Sequence, residues 1–290
     1  MKRTVLTGQD GRLCLGWRLM VFLVIAMLVA LVVTALLGPG IQAGSVAILL
    51  GSLFGGWAVL ALDGRRPGAL GFYLKPDAGR EVAVGLGLGV VIAVVVVGLM
   101  AAAGGLRWSA EPGTAGDWVV GGVSSLLFLA IPAAAEEALF RGYPLQALAE
   151  AWGAPAALLL TSIAFGVMHY GNPGLTWLGL GNLVAAGLLL GAVYLRTGSL
   201  WWATGVHVGW NWGHGYLADV PVSGLELLNA PFYDGVGQGP SWLGGGGFGP
   251  EGSAVATVVL LAAAAACWMG PWLRLGEAAA SMSPLAVIDG

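Results

Sequence analysis

Long apolar runs constrain this chain more than any other feature. They cover Gly16 to Leu37, Ala43 to Leu62, Val82 to Ala103, Trp118 to Ile131, Trp177 to Leu195, Leu200 to Leu217 and Ala254 to Leu273. Most approach the roughly 20 residues that a helix needs to cross about 30 Å of hydrocarbon. Composition agrees: 58% of the 290 residues are hydrophobic and 9% are charged, against about 25% charged in an average soluble domain. Water is not the main solvent of such a chain. The expected fold is all-α, a polytopic transmembrane helical bundle.

Helix-breaking or charged residues interrupt the runs at Gly38-Pro39-Gly40, Asp63 to Pro67, Gly104 to Asp117, Trp152 to Pro155, Asn172-Pro173-Gly174, Arg196 to Ser199 and Asp219 to Gly252. These breaks divide the chain into about eight helices. With the N-terminus in the cytoplasm, Lys2, Arg3, Arg12, Arg18, Arg65, Arg66, Lys75, Arg80, Arg196 and Arg274 fall on the cytoplasmic side, and Arg107 falls outside. That asymmetry obeys the positive-inside rule. The first run follows basic residues as a signal peptide does, but it continues for about 22 residues, where a signal core has about 7 to 15. It reads as a retained helix of a multi-pass cell-membrane protein. The chain divides into an N-terminal three-helix membrane region with a cytoplasmic linker (1–117), a second membrane core (118–275) and a short cytoplasmic tail (276–290).

Other features exclude more than they assign. A net charge of -3 with scattered basic residues gives no nucleic-acid surface. Cys14 and Cys267 have no paired spacing and read as packing residues. Gly85-Leu86-Gly87-Leu88-Gly89 has the look of a nucleotide-binding turn, but it lies inside an apolar helix with no preceding strand. Close helix packing explains it, and likewise Gly187 and Gly191. Asn182 reads as an interhelical hydrogen-bonding residue. The Gly-rich, acidic Asp219 to Gly252 segment reads as a flexible loop, with a partly re-entrant one as the alternative.

With the loops assigned, the ionisable residues left in the bilayer are Glu136, Glu137, Arg141, His169, His207 and His214. Each costs roughly 2.5 to 3.5 kcal/mol near the centre even on the lenient insertion scale, so each is a functional candidate. Glu137 and Arg141 stand four apart and can pair, whereas Glu136 points about 100° away and stays free. Phe165 with His169, and His207 with Asn211, are also four apart and share helix faces. Counting about 1.5 Å per residue places Glu136 and His169 at matching distances, roughly 24 Å, from the Trp152-Gly153 turn, so they can meet across a helical hairpin. Nothing in the spacing requires a role for His214.

A carboxylate, two imidazoles and an amide converging in a dry site suit hydrolysis. The carboxylate takes a proton from water, the imidazoles position that water or hold a metal, and the amide donates to an oxyanion. Zinc, where present, would take His169, His207 and Glu136 as ligands. The residues leave metal-activated and glutamate-activated water both open, and they imply no organic cofactor. A noncatalytic immunity or scaffold protein and a proton-coupled transporter are the alternatives, since buried carboxylates and histidines also stabilise packing and relay protons.

The motifs resemble those of the CPBP family of intramembrane proteases, also called the CAAX protease, bacteriocin-processing or Abi family. EExxxR matches Glu136, Glu137 and Arg141; FxxxH matches Phe165 and His169; HxxxN matches His207 and Asn211. Tyr194 to Trp201 and Phe248 to Ser253 look like features of prokaryotic members. The resemblance spans roughly Trp118 to Leu273. It implies Glu136 as general base, His169 and His207 with it at the water or metal, Asn211 at the oxyanion, and Glu137, Arg141 and Phe165 as support. The implied activity is a metalloprotease or glutamate protease cutting a membrane-embedded or lipidated protein or peptide within the lipid bilayer.

Overall fold

The computed structural model describes residues 6–8 and 11–282. Lys2, Arg3 and the end of the tail lie outside them. The described residues form an all-α bundle. Its long helices are α1 (Leu15–Leu37), α2 (Ile41–Leu62) and α3 (Ala78–Ala102), then α4 (Ala115–Glu137), which runs through a π turn at Ala138–Gly142 into α5 (Tyr143–Trp152). The chain turns back into α6 (Ala154–Met168), α7 (Trp177–Thr197) and α8 (Leu200–Gly215). After a long loop containing the single-turn α9 (Ser241–Gly244) come α10 (Ala254–Met269) and the short α11 (Glu277–Met282). Counting α4 and α5 as one and leaving aside the single-turn α9, eight helical rods precede α11 among the described residues. Five of them, α1, α2, α3, α4–α5 and α7, are long and apolar enough to cross a membrane. At about 1.5 Å per residue, α6, α8 and α10 are shorter rods.

Glycine sets how closely the rods approach. A Cβ on Gly85 would lie 2.6 Å from the Trp202 carbonyl oxygen, and one on Gly89 would collide with that of Val206. From the other side, Gly205 and Gly209 press on the carbonyls of Val82 and Leu86. The α3 and α8 backbones therefore touch, and any side chain at these positions would wedge them apart. Gly87 faces open space and takes no part. Gly187 on α7 packs in the same way against Ser162 of α6.

Two prolines shape the rod that carries the glutamates. Pro132 has no N–H for the Phe128 carbonyl; Gln42 of α2 supplies the missing donor at 2.7 Å. Pro144 similarly returns no N–H to Phe140, and the helix widens into the π turn just before it.

The Asp219 to Gly252 segment is not the flexible loop expected. Strand β1 (Leu106–Ala110) from the α3–α4 connection pairs antiparallel with β2 (Tyr233–Gly237), Leu106 opposite Gly237 and Ala110 opposite Tyr233. Ala230 and Phe248 are fully buried. Gly245, Gly246 and Gly249, at φ 77°, 59° and 83°, supply left-handed turns rather than slack.

Candidate functional site

The two glutamates end α4 on different faces, and the structure separates their environments. Glu137 is completely buried. Its Oε1 accepts from Arg141 Nη1 at 3.1 Å and from His207 Nδ1 at 2.9 Å. Arg141, also fully buried, donates to the Gly187 carbonyl at 3.2 Å, and its guanidinium lies 4.5 Å from the centre of the Phe165 ring. That contact is a cation–π stack. Phe165 in turn packs 4.9 Å from His169 and 5.9 Å from His207. The FxxxH phenylalanine is the wedge that sets both imidazoles.

Glu136 stands outside the Glu137–Arg141 pair. Its Oε2 makes no hydrogen bond and stands 3.9 Å from His169 Nε2 and 3.8 Å from His207 Nε2. These separations exceed a direct hydrogen bond but fit groups that share one water. The far nitrogens fix how the rings present themselves: His169 Nδ1 lies 2.8 Å from the Phe165 carbonyl and donates to it, and His207 Nδ1 donates to Glu137. In the neutral rings both Nε2 lone pairs therefore face Glu136.

Glu136, His169 and His207 line one cavity of about 320 Å³, and Asn211 lines it too. All four sequence candidates meet there. The cavity is otherwise mostly apolar, reaching α2 at Ile41, Ser45 and Ile48. His169 sits one residue past the end of α6 rather than within a longer helix, so the site lies under the 219–253 segment. His214 stays apart: fully buried, against Trp210, with no hydrogen-bond partner on either ring nitrogen.

The donor set suits a metal chemically, with two oriented imidazoles each backed by an acceptor. As placed, however, no three His, Cys, Asp or Glu groups among the described residues are set to hold an ion.

Residues 118–213 match the family model of the Rce1-like type II CAAX prenyl endopeptidases. This agrees with the CPBP resemblance, and the matched segment contains all three motifs. It supports an intramembrane endopeptidase of the CAAX type in general, acting on membrane-associated substrates. No curated protein and no solved structure matches the chain.

Several residues around the cavity are not legible in the sequence. The Glu137 contact to His207 joins residues from separate motifs, and helix spacing reports only what shares a face. Asn182 does bond between helices, accepting from Thr257 of α10 at 2.6 Å, but it also donates to the Glu251 and Ser253 carbonyls at 2.7 Å each. Glu251 itself, Ser223 and Asn172 line the cavity. The only sequence signal for them was a glutamate within the Phe248 to Ser253 stretch.

Proposed function

We propose that this protein is a multi-pass cell-membrane endopeptidase in which Glu136 activates water for attack on a peptide bond. The observation that carries the reading is the meeting of Glu136 Oε2 with two imidazole Nε2 atoms at 3.8 and 3.9 Å in a largely apolar cavity. A water shared by these groups gives one hydrogen to Glu136 and directs the other at His169. As hydroxide adds to the carbonyl carbon, Glu136 keeps the proton and negative charge builds on the carbonyl oxygen. The Asn211 amide donates to that oxygen. His207 is differently placed from His169, because its Nδ1 faces a carboxylate rather than a carbonyl. Glu137 can therefore balance a positive imidazole, which adds a second donor to the oxyanion, as the aspartate of a catalytic triad does for its histidine. Collapse of the intermediate expels the amine, which takes the proton back from Glu136.

The substrate is a membrane-embedded or lipidated protein or peptide. A metal, if one binds, would take His169, His207 and Glu136 as ligands and supply Lewis acidity to the water. The discriminating experiment uses purified protein in lipid nanodiscs with quenched fluorescent peptides carrying an apolar segment, alongside metal analysis of the same samples. The expected result is cleavage by wild type with no bound metal and none by Glu136→Gln at unchanged thermal stability. Cleavage that survives Glu136→Gln contradicts the assignment, and cleavage that tracks stoichiometric zinc replaces the glutamate form by the metalloenzyme form.

A further inference from the structure

The 219–253 segment brings a stretch of bare backbone to the cavity. Val222 and Leu225 exchange both backbone hydrogen bonds, at 2.9 Å each, across Ser223 and Gly224 at φ 49° and 80°. Positive φ at both central residues gives the two-residue turn whose twist matches paired strands, so a β-hairpin begins here. The turn is firmly held. Glu251 accepts from the Ser223 N–H and hydroxyl at 2.7 Å each, Asn172 donates to the Ser223 carbonyl at 2.8 Å, and the Gly224 N–H donates to the Phe248 carbonyl at 3.1 Å. A serine keeps such a φ only where its surroundings impose it.

The hairpin lacks its first arm. With Val222 opposite Leu225, the next hydrogen-bonded pair of an antiparallel ladder would join Val220 to Leu227. Val220 instead donates its N–H to the His214 carbonyl at 3.1 Å. The second arm continues alone. Residues 226–230 run without a turn or bend, and among the described residues no backbone N–H or carbonyl of 226–229 has a hydrogen-bond partner. Leu225 and Leu227 line the cavity that holds Glu136, Glu226 between them is exposed, and Leu228 packs against the cluster of Leu129, Ala133 and Val208. That alternation is the period of a strand. An open strand edge is a template for another strand, and a polypeptide entering an apolar cavity needs partners for its own backbone groups. Resting on the peptidase reading above, we propose that residues 225–229 bind the substrate as an added β-strand, recognising its backbone and holding it extended beside Glu136. Extension also serves the chemistry. In a helix the scissile carbonyl is bonded to the N–H four residues on, whereas an extended chain frees it for attack.

Backbone pairing predicts a period of two in the substrate. Successive amides of the quenched fluorescent peptide are replaced one at a time by esters, each removing one N–H and keeping every side chain. Binding and cleavage are measured separately on the full-length protein in nanodiscs. Alternate residues of a strand turn their N–H groups to opposite edges. Esters at every second position near the scissile bond are therefore expected to weaken binding by about five-fold or more, the effect of one lost hydrogen bond, and those between by less than about two-fold. Leu227→Pro and Leu228→Pro delete N–H groups from opposite edges of the arm, and one of them should weaken binding by about ten-fold. A flat ester scan on wild type, a period of three to four, or binding of no peptide overturns the proposal, and this scan decides even where the proline variants fail to fold. Loss of a dimer in Leu227→Pro with peptide binding unchanged gives the edge to a second copy and overturns it as well. A period of two in binding without cleavage supports the strand edge while contradicting the peptidase reading, and cleavage with a flat scan does the reverse.

Discussion

Two adjacent glutamates divide the work at the site through their surroundings. Glu137 is used up by Arg141 and His207, whereas Glu136 Oε2 is left without a hydrogen bond inside the cavity. The helical angle between neighbours predicts this division, and so the general-base candidate was legible before any coordinates. Asn211 gives the sharpest prediction at this scale. If its amide donates only to the developing oxyanion, Asn211→Ala lowers kcat by about 10²- to 10³-fold, some 2.7 to 4 kcal/mol, and changes KM little. A rise in KM with kcat intact would instead make Asn211 a substrate-binding residue; steady-state kinetics on the nanodisc protein separate the two. Less legible were Glu137's tie to His207 and the whole Glu251 cluster. Both depend on which faces of distant segments meet, and local spacing does not specify that. The isolated burial of His214 with neither nitrogen bonded is a feature for which the fold gives no account.

At the level of elements, the helix breaks and the glycine contacts were readable because Gly and Pro act through local geometry. The β1–β2 pairing was not, since it joins the α3–α4 connection to a loop far along the chain. The loop's glycines suggested slack because composition alone does not distinguish a flexible run from one that needs left-handed φ. This loop has its own pH dependence. Burial holds the Asp219 carboxyl above the ordinary value of 3.8, against the opposing hydrogen bond from the Ala230 N–H. A raised acid favours its protonated form in the folded state. Its contribution is therefore full below 3.8 and is lost as pH rises through the folded value. Hydrogen exchange should find the 219–253 segment better protected at about pH 4 than at about pH 7, with Asp219→Asn flattening the difference. Stronger protection at the higher pH would reverse the sign of this account.

The whole molecule has two chemically distinct ends. At one, Arg18 of α1 bridges Asp63 at 2.8 Å and Glu150 at 3.0 Å, and Arg65 also pairs with Glu150. Exposed Trp17, Trp152, Trp268 and Trp272 surround that end, while Trp108, Tyr170, Trp177 and Trp242 are exposed at the other. Two aromatic belts flanking apolar rods are what a bilayer-spanning bundle presents. The cavity that holds Glu136 sits toward the second end, lined in part by the loop. The Rce1-like match covers the segment that builds most of the site, while α2 and the 219–253 segment complete its walls. The central claim is that this cavity hydrolyses peptide bonds through Glu136. Comparative proteomics of membranes from cells carrying wild type or Glu136→Gln at equal expression tests it most directly. The account predicts that at least one membrane-associated protein accumulates uncut in the Glu136→Gln cells, with loss of the matching new terminus. Identical terminal peptides in the two membranes would contradict it.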